Sequence, residues 1–360
     1  MGDGVAGTQL FPQHASGDRQ GPPLVIPVFI PHEGCPHSCL FCNQKKISGV
    51  TGRPVSAGEV SRIVCSWLAR PRTRKRNRIQ VAFYGGSFTC LERKRQQELL
   101  AAVAPFIADG SVQDVRLSTR PDYISAEIIA FLQAHRVTIV ELGVQSLNNE
   151  VLQKSLRGHT AEDTVRSARL LKQAGMELGL QLMVGLPGQT FACLRKTMDQ
   201  VISLAPDFVR IYPVLVVAGS GLARLYQAGD YRPLTLARAT AQVAWMKRRC
   251  TAAGIRVVRM GLQPGEELEN SLLAGPYHPA FGELVNARLM LQRTRKLLTA
   301  LDRTQHALLS ISPQDVSTFY GPGSINRERL TGLGLFDKFS LHMDPSQCRG
   351  TVKLLTTKDA

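Results

Sequence analysis

From Leu24 onward the chain alternates two patterns. Short apolar runs (Leu24–Ile30, Ile79–Tyr84, Val112–Ser118, Val137–Val144, Glu177–Val184 and Asp207–Tyr212) are separated by longer amphipathic stretches. Nearly continuous apolar runs of strand length belong to strands covered on both faces, as in parallel sheets with crossover helices. Between them, Leu99, Leu100, Val103, Phe106 and Ile107 form one apolar face at helical spacing. Thr160 with Asp163 three positions on reads as a helix start, and Gly175 as its stop. Thr190 reads as the cap of a helix that buries Leu194, Met198 and Val201. Six strand–helix units predict an α/β protein, either an open doubly wound sheet or an incompletely closed β/α barrel. Both architectures put function in the loops after the carboxyl ends of strands.

The flanking segments differ. Residues 1–23 are rich in Gly, Pro, Gln and Asp without periodicity, the pattern of a disordered tail. Residues 24–230 carry the strand–helix units. Residues 231–360 read as a C-terminal extension: a helix over Leu234–Cys250, a short strand over Ile255–Arg259 and a long helix over Phe281–Ala300. From Leu308, Gly-rich turns and short apolar runs predict a small α/β appendage. No solenoid-type repeat is present.

Hydrophobic content of 44% and charged content of 20% are ordinary for a soluble enzyme. The longest apolar runs, such as Leu24–Ile30 and Val214–Ala218, are far too short to span a membrane. No basic stretch followed by an apolar one opens the chain, so no secretory signal is expected, and a cytoplasmic location is. The formal charge of +16 changes the picture more, because it calls for an acidic partner, nucleic acid first. The densest basic run is Arg70–Arg78. No aromatic residue interleaves it, so it suits a solvated loop or a phosphate contact rather than a base-reading surface.

Of the eight cysteines, Cys35, Cys39 and Cys42 lie on one short stretch, while Cys65, Cys90, Cys193, Cys250 and Cys348 are isolated. One local cluster points to metal or redox chemistry rather than a disulfide framework. The loop after the first strand reads Cys35-Pro-His-Ser-Cys39-Leu-Phe-Cys42. Three thiolates can hold three irons of a cubane cluster and leave one iron open, whereas an electron-transfer cluster usually has four cysteine ligands. The competing reading is a Cys₃His zinc site completed by His32 or His37.

The Cys-x₃-Cys-x₂-Cys spacing with Phe41 before the third cysteine resembles the signature of the radical S-adenosylmethionine (SAM) superfamily, most closely over Gly34–Gln44. The resemblance extends from about residue 24 to at least 290. It is nearest to the branch containing the catalytic subunit of Elongator and, further off, oxygen-independent coproporphyrinogen oxidases. It implies a partial (β/α)6 TIM-like barrel with a C-terminal extension. It also implies a 4Fe–4S cluster on Cys35, Cys39 and Cys42, SAM chelated to the open iron, and a reductant such as flavodoxin or ferredoxin. Phe41 would pack near adenine.

The same resemblance assigns further contacts. Tyr84-Gly-Gly-Ser87 follows the second strand, where Gly85, Gly86 and Ser87 would meet the amino group of SAM. Ser118-Thr-Arg-Pro-Asp-Tyr123 is similar to the Elongator pattern, with Ser118 in place of a glutamate and Arg120 available to a carboxylate or phosphate. Gln145 and Arg157 stand where relatives contact the ribose and the carboxylate of SAM. Gln181, a polar residue inside an apolar run, stands near the ribose and needs a partner. His159 reads as a helix cap or a proton donor. Gln263–Glu269 and Gly275–Pro279 are expected to cover the barrel mouth.

The reaction implied is reductive cleavage of SAM to methionine and a 5′-deoxyadenosyl radical that abstracts hydrogen from a substrate. The Elongator likeness and the basic charge favour tRNA or another RNA. An acetyltransferase domain is absent from these 360 residues, so acetyl transfer is not implied. Two other readings remain: oxidation or rearrangement of a small metabolite such as a tetrapyrrole, and a non-catalytic cluster-bearing binding protein.

Overall fold

The computed structural model describes residues 23–30, 35–43, 46–47, 53–71, 78–302 and 305–359. The N-terminal tail and the basic positions Arg72, Arg74, Lys75 and Arg76 lie outside the described residues. The strands of the main sheet follow the apolar runs: β1 (Leu24–Phe29), β2 (Ile79–Tyr84), β3 (Asp114–Thr119), β4 (Val137–Gln145), β5 (Glu177–Val184) and β6 (Phe208–Pro213). A two-residue strand β7 (Val216–Val217) turns away and pairs antiparallel with β9 (Leu272–Ala274), and β8 (Arg256–Met260) rejoins as a seventh strand beside β6. Every pairing in this sheet is parallel, and the spatial order is β1-β2-β3-β4-β5-β6-β8.

That order decides between the two architectures. Each strand pairs with the next one in sequence, so right-handed crossovers put every connecting helix on the same face. A doubly wound sheet would reverse its order at a switch point, and this one does not. The inner face is left without helices, and the sheet curls around it as a half-barrel.

The crossover helices are α1 (Ala57–Leu68), α2 (Arg93–Ala101), α3 (Ala104–Ala108), α4 (Ala126–Ala134), α5 (Asn149–Lys154), α6 (Ala161–Gln173) and α7 (Phe191–Leu204). Thr160 caps α6 in a full capping box with Asp163, and Thr190 caps α7. The apolar face over residues 99–107 is split between α2 and α3, because Pro105 lacks the N–H needed to continue a helix and begins a new turn instead. Outward-facing Val28, Phe83, Leu117, Leu142, Leu180 and Ile211 pack with these helices in one core. That core also takes Val243 and Met246 of α9 (Leu236–Ala252), and Val285 and Leu289 of α11 (Phe281–Leu298). Residue 230 falls between α8 (Gly221–Ala228) and α9, and elements on both sides of it share this core. A second, smaller core lies under a three-stranded sheet of β10 (Gln305–Ile311), β11 (Phe339–Met343) and β12 (Lys353–Asp359), with α12 (Val316–Tyr320) and α13 (Ile325–Gly332).

Alternation along the strands turns Gln80, Tyr84, Arg116, Glu141, Gln181, Arg210 and Tyr212 toward the concave face. Polar groups out of water there need partners. Arg116 Nη2 donates to Glu141 Oε2 at 3.0 Å and Nη1 to Gln80 Oε1 at 3.3 Å, while Arg210 Nε lies 3.1 Å from the same carboxylate oxygen. Arg210 also donates to the Tyr84 and Tyr212 hydroxyls, and its guanidinium stacks 4.7 Å from the centre of the Tyr84 ring. One carboxylate thus serves two guanidiniums, the buried Arg116 and the half-buried Arg210.

Removing one member of such a set strands the others. Glu141→Gln should lower unfolding stability by about 3 kcal/mol in urea titrations. Breaking the exposed Lys154–Glu150 pair with Lys154→Ala should change it by less than about 1 kcal/mol. Equal effects would show that the inner network is not desolvated.

Candidate active site

The loop carrying Cys35, Cys39 and Cys42 leaves the carboxyl end of β1, and all three are free thiols. Other elements pin it from two sides. Leu40 N–H donates to Ser155 O beyond α5 at 3.1 Å, and Leu222 N–H of α8 donates to Leu40 O at 2.7 Å. Asn43 Nδ2 donates to Ala218 O at 2.9 Å. A Cβ on Gly221 would lie 3.3 Å from Leu40 Cα, so glycine there is what allows the two backbones to touch. Leu40 and Phe41 pack against an apolar cluster of Val151, Met183, Leu186, Val214 and Leu222 on the β5–β6 side of the mouth. The segments expected over the mouth form α10 (Glu266–Ser271) and the turn at Tyr277. Leu268 and Tyr277 pack there with Leu215, Val217 and Ile47.

The turn after β2 approaches the end of β1. Gly85 has φ +98°, and a Cβ on it would lie 3.6 Å from Ile30 N. Gly86 is half-buried beside it, and Ser87 is buried. The Ser87 hydroxyl is engaged within the protein: it accepts from Arg120 N–H at 3.1 Å and from the Cys90 thiol at 3.0 Å, and shares a 3.1 Å bond with the Thr119 hydroxyl. It braces the β2 turn against the end of β3. Cys35 is exposed at the level of the whole residue, yet burial of its sulfur raises the thiol pKa. The Ser87 backbone N–H, Arg157 and Arg120 pull in the opposite direction.

Arg120 is also committed. Its Nε and Nη2 donate to the two carboxylate oxygens of Asp122 at 3.0 and 2.8 Å, so its charge is already answered. Ser118 is half-buried on the concave face, in register with Glu141 on the next strand. That places a buried carboxylate beside the position where Elongator-type sequences carry their glutamate.

Gln145, Gln181 and Arg157 do converge. Gln145 Nε2 donates to Gln181 Oε1 at 2.9 Å, while Gln145 Oε1 is buried with no partner. Gln145 holds φ at +66°, in the left-handed region, where the β4–β5 register shifts. Strain of this kind in a non-glycine residue concentrates at functional sites. Arg157 Nη1 donates to Cys39 Sγ at 3.1 Å and Nη2 to Gly143 O at 2.6 Å, and its Nε is buried without a partner. His159 is buried with neither ring nitrogen bonded. Burial, with Arg157 and Arg120 nearby, pushes its pKa down to about 3. It is neutral at pH 7, and the helix cap belongs to Thr160.

These residues suit a cluster with SAM. His37 packs its ring against Gly158, and His32 lies outside the described residues. The buried unpaired acceptor on Gln145 and donor on Arg157 fit the hydroxyls and carboxylate of a polar cofactor.

A half-barrel whose mouth carries a three-cysteine loop and a polar cradle defines a class, and comparison with known proteins gives it a family. Residues 29–201 match the radical SAM superfamily and residues 206–291 its C-terminal domain, so the chain belongs to the radical SAM superfamily. Its members are enzymes that use a 4Fe–4S cluster and SAM. The chain is 36% identical over 134 residues to a tRNA uridine(34) acetyltransferase of Methanocaldococcus infernus, a match covering 36% of this chain and 25% of that protein. It is 32% identical over 124 residues to mouse Elongator complex protein 3, covering 33% and 22%. To the heme chaperone HemW of Lactococcus lactis it is 27% identical over 184 residues, covering 51% and 47%. The chain therefore spans less than half the length of each of these relatives. In structure, it superposes on archaeal Methanocaldococcus infernus Elp3 with a TM-score of 0.60 at 23% identity, over 75% of this chain and 63% of that one. Among the described residues no helix is long and apolar enough to cross a membrane.

The buried neutral His159 sets a pH dependence. The unfolded chain takes up the proton near pH 6.5, while the folded chain resists it to about 3. Stability of the apoprotein is therefore full above about pH 6.5 and falls as pH drops toward 3. His159→Leu should flatten that fall in denaturation midpoints measured across the range; an unchanged slope would place the ring in contact with water.

Proposed function

We propose that this chain is a radical SAM enzyme acting on RNA, with tRNA as the leading substrate, and that Cys35, Cys39 and Cys42 hold its cluster. The observation that carries the site assignment is the convergence of Arg157 and Gln145 on the cysteine loop, each with one buried polar atom left unpaired. The Gly85–Gly86 backbone would bond the amino group of SAM, Arg157 Nε would donate to its carboxylate, and Gln145 Oε1 would accept from a ribose hydroxyl. Gln181 holds the Gln145 amide in place for that bond. Phe41 would offer the adenine an apolar wall. Ser87 and Arg120 shape the site from behind, and Ser118 with Glu141 borders it on the lumen side. Reductive cleavage of SAM, with hydrogen abstraction by the 5′-deoxyadenosyl radical, is the chemistry the bound group supplies. The residues of the chain position SAM and keep water from the lumen. The electron comes from a flavodoxin- or ferredoxin-type donor, and the location is cytoplasmic.

Two facts support RNA: the similarity to tRNA uridine acetyltransferases and the formal charge of +16. The likeness to a heme chaperone supports the tetrapyrrole reading instead. Anaerobic reconstitution should give about four irons per chain. Cys35→Ala, Cys39→Ala and Cys42→Ala should each abolish the cluster, and the other five cysteines should be dispensable. Gln145→Ala should weaken SAM binding about three- to tenfold with the cluster intact. Bulk tRNA should stimulate 5′-deoxyadenosine formation under reducing conditions. If a small-molecule extract depleted of RNA stimulates it and tRNA does not, the RNA assignment is wrong; stoichiometric zinc without iron would remove the cluster assignment as well.

A further inference from the structure

We propose that Arg157 also sets the reduction potential of the cluster by donating a hydrogen bond to the Cys39 sulfur. The inference rests on the reading that Cys39 is a cluster ligand. A guanidinium has five N–H donors in a rigid fork, and three directions of this one are accounted for separately. Nη1 is 3.1 Å from Cys39 Sγ, Nη2 is 2.6 Å from Gly143 O, and Nε faces away from both with no protein partner. The carboxylate of SAM and the ligand sulfur therefore do not compete for one donor. A single side chain touches both.

Local backbone explains why the guanidinium is there. Leu156 takes the left-handed φ of +52°, and Arg157 N–H closes on Leu152 O at 3.0 Å, which ends α5 and turns residue 157 inward. Gly143 leaves the space: a Cβ at that position would lie 2.9 Å from Arg157 Nη2. Arg157 is only 8% exposed and makes no ion pair with a carboxylate among the described residues. Asp122, close by, is taken by Arg120 on both oxygens. A buried guanidinium is costly without a counter-charge, and it touches Cys39 Sγ, which becomes a thiolate on ligating the cluster. Hydrogen bonds to cluster sulfurs are a principal control of reduction potential. Reduction adds one electron to the cluster, and a cationic donor stabilises the more negative state, so Arg157 raises the potential and eases electron delivery.

The test is a redox titration of the reconstituted protein without SAM, followed by the electron paramagnetic resonance signal of the reduced cluster. Arg157→Met should make reduction about tenfold less favourable, a shift of about 59 mV to more negative potential for a one-electron couple. Arg157→Lys, which keeps a cation, should recover part of the shift. Gly143→Ala, which keeps Arg157 but crowds it off the sulfur, should move the potential in the same direction, and it decides the matter if the Met variant loses iron. Fully loaded Met and Gly143→Ala variants with the wild-type potential overturn the proposal and leave the cluster assignment standing. A wild-type chain that takes up no iron overturns both.

Discussion

Glu141 lies between Arg116 and Arg210 on the one face of the sheet that no helix covers, and the half-barrel depends on how that face is satisfied. Seven parallel strands in sequential order send all their crossovers outward. Apolar contacts with helices can hold only the outer face. The inner face has to be lined by groups that bond one another across strands, or be filled by a ligand. The middle of the lumen takes the first course, through Gln80, Arg116, Glu141, Arg210 and Tyr84. At the mouth the pairing is left incomplete, with a free acceptor on Gln145 and a free donor on Arg157.

Position at the mouth is set by backbone contacts more than by charge. The cysteine loop is tied to the end of α5 and to α8 by main-chain bonds, and Gly221 and Gly143 supply the room for Leu40 and Arg157. Gln145 bears a left-handed backbone in the same region, held by the register shift between β4 and β5. An exposed ion pair from the loop, Lys46 to Glu267 at 3.0 Å, adds little to this because both partners are solvated.

Much of this was legible in the residues. Period and run length placed each of the first six strands to within two residues of its observed ends, and the caps at Thr160 and Thr190 follow from side-chain chemistry alone. The sequence places a short strand over Ile255–Arg259 in the extension; in the structure Arg256–Met260 carries two arginines and is a half-exposed edge. Such a strand looks locally like a surface segment, and only its pairing with β6 puts it in the barrel. Gln181 stands out as a polar residue in an apolar run. The same signal, applied evenly, marks Arg116, Glu141 and Arg210, whose mutual pairing was missed because the partners lie on different strands. From sequence Arg120 is open to a ligand, and the structure pairs its fork with Asp122, two residues on.

The central claim is that the three-cysteine loop and the polar cradle beside it hold a cluster with SAM bound at its open iron. Electron–nuclear double resonance on the reduced, reconstituted protein, with SAM carrying ¹⁵N in its amino group, tests that claim directly. The account predicts a hyperfine coupling between the cluster and the labelled nitrogen that disappears when SAM is left out. A fully loaded cluster that shows no such coupling in the presence of saturating SAM would contradict it.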